Sequence, residues 1–403
     1  MPLPTFSMRS RASATPRIEA HVTALSRSPQ RVSVVSAVGL VTLTILAGCS
    51  GGSEPGSPPP APEDKILYLA NWAGYTGQHT VSDFERATGI HVVYDTYDSA
   101  NTLEGIVLAG DCHYDVVATS TDFFSREIKA GAYRPIDRAK LTNWSNLDPD
   151  VLRIAAHADP GNRHAVPYLH AINGFAYNVD MIRARMPNAP VDSLDMLFKP
   201  SVIRHFADCG VTFLDSPSDV LPLALKYLHL DPNSTRPQDY QAAVQLLLTV
   251  RPYLRAFDSL SFSSDLLNKE LCIAMCWSSD AAATRAQARE AGVELNLAFT
   301  VPREGANVTY DALLIPAGAL HPAAAHRFID FVLQPQVIAA ITNEIHYGNN
   351  NRAANRYVDP QILNDPTIYP TRDIAGRLYE QAEANPATER IRTRAWTTLK
   401  SSE

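Results

Sequence analysis

Hydrophobic and polar positions alternate in short blocks along most of the chain, and the blocks change period. Ile66–Leu69 is a compact apolar run that predicts a strand, and Val81–Thr88 has helical spacing closed by Gly89. Ile90–Tyr94, rich in β-branched residues, predicts a second strand, and Thr102–Ala109 a helix closed by Gly110. Tyr114–Val117 and Phe123–Ala130, the latter closed by Gly131, repeat the unit. Such alternation predicts a parallel sheet with helices on both faces.

Further along, Asp180–Lys199, Asp219–Leu228 and Pro237–Val250 have helical spacing, with a strand at Val211–Leu214. Leu271–Trp277 reads as a buried strand and Ser279–Ala291 as a helix. Leu295–Val301 and Val308–Ile315 read as strands, and Pro322–Leu333 and Pro335–Glu344 as amphipathic helices. The length of 403 residues suits two domains. No internal repeat or second membrane-spanning run stands out.

The beginning of the chain follows another rule. Arginines precede the apolar run Val32–Ala47, which is short for a spanning helix and ends in Leu46-Ala47-Gly48-Cys49. Small residues before a Cys, directly after an apolar run, resemble a bacterial lipoprotein cleavage box. Residues 1–48 therefore read as a signal peptide and Cys49 as the lipidated residue; a buried Cys after a plain signal helix is the alternative. Residues 49–64, rich in Gly, Ser and Pro, read as a flexible tether. The expected location is the periplasm, with a lipid on Cys49 as the only membrane contact.

Charge sharpens this picture. Removing residues 1–48 takes the net charge from −7 to near −11, with 30 basic against 41 acidic residues left. That balance argues against nucleic acid as a partner. An exported protein with Cys112, Cys209, Cys272 and Cys276 is a candidate for disulfides, and no CxxC pair suggests metal. His157, His164 and His170 lack the spacing of a helical metal pair and read as surface or packing residues. No GxSxG, HExxH, GxxxxGK or GxGxxG motif occurs. The expectation is a protein that is not an enzyme and uses no cofactor or metal.

In open α/β sheets ligands bind beyond the carboxyl ends of strands. Here those ends carry Asn71-Trp72-Ala73-Gly74-Tyr75, Asp98-Ser99, Ser120-Thr121-Asp122 and Trp277-Ser278-Ser279-Asp280. Rings and carboxylates together suit a short diamine, whose charged ends need acids and whose methylenes need apolar walls. Each residue has a plainer reading: Trp72 and Trp277 could be core, Asp280 a helix cap, Asp215 or Asp219 a turn or first-turn acid, Tyr347 a surface ring. Asp311 lies inside a strand and needs a partner unless its face is solvated.

The chain resembles the periplasmic polyamine-binding proteins of ABC transporters, most closely their putrescine-binding branch, from about Lys65 onward. Stretches that carry the likeness include Asn71-Trp72, Thr88-Gly89-Ile90, Tyr177-Asn178-Val179-Asp180, Cys209-Gly210-Val211, Phe213-Leu214-Asp215, Pro302-Arg303-Glu304-Gly305-Ala306 and Arg392-Thr393-Arg394-Ala395-Trp396. The resemblance implies a two-lobed α/β binding protein of type II with an interlobe hinge and cleft. One lobe would be 65–168 plus 298–346, the other 172–295 plus 350–398. It implies ligand contacts at Trp72, Tyr75, Ser120, Trp277, Asp280, Asp311 and Tyr347, and a Cys209–Cys272 disulfide. The branch's Glu at a helix start is the shorter Asp219 here, and an aromatic wall position is Thr309. Asp122 stands where relatives carry a small hydroxyl or a ring. The implied cargo is putrescine or a related polyamine (spermidine, cadaverine or agmatine), delivered by a monomer to an ABC permease. An amine-sensing lipoprotein would use the same site.

Overall fold

A computed structural model describes residues 65–97, 100–110 and 112–401. Eleven strands are present among these: β1 Ile66–Trp72, β2 His91–Tyr97, β3 Val116–Ser120, β4 Val166–Asn178, β5 Val211–Phe213, β6 Ala256–Phe257, β7 Ile273–Trp277, β8 Leu297–Thr300, β9 Ala306–Leu314, β10 Gly348–Asn349 and β11 Leu378–Glu380. The lipidation residue Cys49, the leader, the tether and Asp98-Ser99 lie outside the described residues.

The early β-α units form as their pattern predicts. Helices Thr80–Thr88 and Ala100–Leu108 separate β1, β2 and β3, and Thr121–Lys129 follows β3. Gly89 ends the first of them in the left-handed conformation, φ 71°, with its N–H on the Glu85 carbonyl. β1 pairs parallel with both β2 and β3. Alternation along β1 sends Leu67 and Leu69 into a core with Phe84 and Phe328, and Ala70 into another with Leu103, Val117 and Phe124. Helices thus cover both faces.

The expected all-parallel sheet is only half right. β9 and β4 enter antiparallel, β9 against β3 and β4 against β9. The chain reaches β9 after a long excursion through a second sheet, so it returns from the opposite end. β4 is the joint between the two sheets. Its first part, Val166–Ile172, pairs with β9, and its second part, Asn173–Tyr177, pairs with β7. β7 then pairs parallel with β5, and β5 with β6, around a core built on Phe175, Phe198, Phe206 and Phe213. Gly174 sits where β4 lies against β8: a Cβ there would come within 2.3 Å of the Thr300 carbonyl and 2.6 Å of the Phe299 ring. The two sheets, each with its own core, make the two-lobed α/β architecture of a type II binding protein.

One long helix expected over Asp180–Lys199 is instead a short one, Val179–Arg185, followed by irregular chain and Asp195–Phe198. Pro187 and Pro190 cannot continue a helix, and their breaks outweigh the apolar spacing. Asp215 does not join a ligand site; it pairs with Lys400 at 2.8 Å and accepts the Trp396 indole N–H at 3.3 Å. His170 is a packing residue, buried between the Asn350 side chain and the Ile368 carbonyl, and burial pushes its pKa down.

Cys209 and Cys272 form a disulfide across 63 residues of chain, Cα–Cα 5.5 Å, while Cys112 and Cys276 are free thiols. Closing a loop of that length stabilises a fold by about 2–4 kcal/mol through the entropy of the unfolded chain. Reduction, or the Cys209→Ser/Cys272→Ser double variant, is therefore expected to lower the melting temperature by several degrees. An unchanged melting curve after reduction would show that the bridge contributes nothing.

Candidate functional site

The carboxyl ends of β1, β3 and β7 and the middle of β9 converge on one cluster of rings and acids. Tyr75 follows β1 after a turn closed by its own N–H on the Trp72 carbonyl, 3.2 Å. Its hydroxyl donates to Asp311 Oδ2. Asp311 lies on β9 directly opposite Ser120 of β3, and Ser120 Oγ donates to Asp122 Oδ1 at 2.6 Å. The Tyr75 ring meets the Tyr347 ring edge-on, centroids 4.6 Å apart. The Tyr347 hydroxyl then donates to Asp280 Oδ1 at 3.2 Å. A continuous path Asp280–Tyr347–Tyr75–Asp311 thus links the helix after β7 to the middle of β9.

Asp219 joins from the helix Pro217–Tyr227. Ser216 Oγ donates to its Oδ2 at 2.6 Å and Asn173 Nδ2 to its Oδ1 at 3.0 Å. Asn173 is on β4 opposite Trp277 of β7, and the Trp277 side chain lies near enough to Asp219 to lower its pKa slightly against the burial effect. Trp72 is held less directly: its ring packs on Tyr97 with centroids 4.6 Å apart, and its buried indole nitrogen has no partner among the described residues.

The electrostatics are one-sided. Burial lifts the Asp280 and Asp311 carboxyls to about 7 and Asp219 to about 6, and raises Asp122. Asp122 adds to the burial effect at both Asp311 and Asp219, so these two lie within its field. Among the described residues, the donors to Asp219, Asp280 and Asp311 are hydroxyls and an amide. Tyr75 and Tyr347 are themselves held well above the ordinary phenol range by burial, so both remain donors. Buried carboxylates with neutral donors only are costly to ionise, and a cation among them removes that cost.

The nine residues expected to meet the ligand lie in or beside this cluster, with Trp72 at its edge packed on Tyr97. Others were missed. Tyr97 ends β2, where the same strand-end rule applies, but the strand was expected to stop at Tyr94. Tyr168 donates to the Tyr75 carbonyl at 2.9 Å and packs edge-on against its ring. Asn173 and Tyr168 sit on β4, which carries no period-2 signal because nearly all of it is buried on both faces. A shallow hollow of about 570 Å³ over Asp208, Arg255 and Glu270 contains none of the site residues.

A two-lobed fold with a buried, acidic and aromatic cluster fed by both sheets is the form of an extracytoplasmic solute receptor. Residues 79–371 match the family of bacterial extracellular solute-binding proteins, and the chain belongs to it. It is 41% identical over 343 residues to the putrescine-binding periplasmic protein PotF of Escherichia coli K12, covering 85% of this chain and 93% of that one. It is 40% identical over 363 residues to the putrescine-binding periplasmic protein SpuD of Pseudomonas aeruginosa, covering 90% and 97%. The spermidine/putrescine-binding periplasmic protein of E. coli is 31% identical over 311 residues, covering 77% and 84%. A solved structure described as a putative spermidine/putrescine ABC transporter from Listeria monocytogenes has the same fold, TM-score 0.76 at 24% identity over 84% of this chain and all of that one. Both relatives at about 40% identity are periplasmic binding proteins.

Proposed function

We propose that this protein captures putrescine or a related polyamine between two lobes, 65–168 with 298–346 and 172–295 with 350–398, and delivers it to an ABC permease. The observation that carries this reading is the path from Asp280 through Tyr347 and Tyr75 to Asp311, two buried acids joined by rings. One ammonium pairs with Asp311 and the other with Asp280. The methylenes lie against Tyr75, Tyr347, Trp72 and Trp277, each buried CH₂ contributing about 0.8 kcal/mol. Ser120, Asp122 and Asp219 complete the polar lining. Pairing offsets the cost of ionising these buried carboxyls, so closure of the lobes on a cation is favoured over closure on water.

A thermal-shift panel tests the reading. Micromolar putrescine binding at about 1 mM ligand adds roughly 4 kcal/mol, a rise of roughly 5 °C for a chain of this size. Indifference to every amine would remove the assignment. Cys49 is proposed as the lipidated N-terminus of the mature monomer, with the lipid its only membrane anchor. Mass spectrometry of membrane-extracted protein is expected to find acyl chains on that residue; an uncleaved leader would refute it.

A further inference from the structure

We propose that Glu383 is a latch between the lobes. It sits on a strap rooted in the lobe of the second sheet, holds the helix Thr121–Lys129 of the first, and sets how long a bound ligand is kept. This rests on the reading of a cleft that closes on a polyamine, and adds to it a positioning residue that governs release.

The strap is the chain between β11 and the helix Pro386–Ser401, residues 381–385. Both of its ends belong to the second lobe. β11 pairs with Ala306, Asn307 and Val308 of β9. Ala306 and Val308 lie in the core built on Phe175 and Phe213, and Leu378 packs against it. Ala395 and Leu399 of the following helix enter the same core. The Asn233 side chain brackets the strap: its Nδ2 donates to the Glu380 carbonyl at 3.0 Å and its Oδ1 accepts the Ala382 N–H at 2.8 Å. Asn385 fixes the far end by accepting the Thr388 N–H at 2.9 Å. The strap also starts at the edge of the site. Tyr379 of β11 has its phenol pKa raised first by burial and then by Asp219.

Glu383 alone reaches from this strap to the helix after β3. Ser125 Oγ donates to its Oε2 at 2.9 Å, and Lys129 Nζ pairs with the same oxygen. Phe124, next to Ser125, is in the core of the first sheet with Ala70 and Val117. Asp122, Ser125 and Lys129 follow one another at helical spacing, so one face of this helix carries the site acid and, further along, both latch donors. Ser125 is 5% exposed, so water screens its bond to the carboxylate little. Lys129, with its side chain 68% exposed, adds less. One partner travels with each lobe, so these bonds break when the lobes swing apart. Bonds made in the closed form alone favour that form and slow release.

Stopped-flow release of putrescine tests the latch. Glu383→Ala is expected to release putrescine at least about 5-fold faster than the parent, the scale of a lost hydrogen bond to a charged group. The ligand-free variant is expected to melt within about 1 °C of the parent. Glu383→Lys, which sets two cations face to face, is expected to release faster still, and adding Lys129→Glu to it is expected to recover much of the slow release. Release unchanged in Glu383→Ala, or no recovery on exchanging the charges, overturns the latch. A ligand-free Glu383→Ala protein that melts well below the parent also overturns it, by assigning the contact to the fold. If the parent takes up no putrescine, the polyamine reading has failed. The latch is then decided by small-angle scattering of the ligand-free proteins: a larger radius of gyration in Glu383→Lys than in the parent supports it, and equal radii overturn it.

Discussion

Asp311→Asn is expected to weaken putrescine binding by at least about 100-fold while leaving the ligand-free protein as stable as before or more so. The substitution keeps the shape and keeps an acceptor for the Tyr75 hydroxyl. What it removes is the charge. Breaking a buried pair by deleting one partner costs about 3–5 kcal/mol, because the ammonium is then desolvated without compensation. In the empty site the sign reverses, since Asp311 is a buried acid with Asp122 pressing on it and a phenol as its recorded donor. Calorimetry for the affinity and a melting curve for the empty protein read the two effects separately. Unchanged affinity would make Asp311 a structural residue held by Tyr75.

The second large effect is on pH. Affinity for a diamine is expected to fall by at least about 100-fold between pH 8 and pH 5, the minimum from a single required carboxyl that titrates near 7. Asp280 and Asp311 both stand at about 7 and Asp219 at about 6, each raised first by burial. A cation binds the ionised acids, so below pH 7 each must first give up a proton. The empty protein moves in the other direction. These folded-state values lie above the ordinary Asp value of about 3.9, so the folded form binds more protons than the unfolded one between about 4 and 7. The stability they contribute is complete below the unfolded value and is lost as pH rises through 7. Melting temperature of the empty protein should therefore rise on acidification over that window as affinity drops. Calorimetry at pH 6 in buffers of different ionisation enthalpy should also show protons released on binding. An affinity flat across this range would mean that none of the three acids meets the ligand's charge.

The site was legible to different depths. Trp72, Ser120, Trp277 and Asp280 could be found because they follow apolar strands, and ligands gather at the carboxyl ends of strands in such folds. Asp311 stood out as an acid inside a strand. Tyr347 and Asp219 had equally good plain readings on local grounds, as a surface ring and a first-turn acid. Only the resemblance to a family gave them a role. Asn173, Ser216, Tyr168 and Tyr379 left no local signal. Their contacts span 3 to 93 residues of sequence, or run to side chains brought together by β4 and β11.

The sequence by itself determined the leader pattern, the β-α units up to Lys129 and their glycine stops, the acidic balance, and which residue types could meet a cation. Those are local properties, set by side-chain period, backbone freedom and charge. The tertiary structure decided that β4 runs through both sheets and that β9 enters antiparallel. It also decided that aspartates from separate elements are buried together with rings and hydroxyls, Asp280 and Asp311 at the two ends of one path through Tyr347 and Tyr75. A carboxyl's pKa and its need for a partner depend on what the rest of the chain packs around it, and no window of neighbouring residues contains that information.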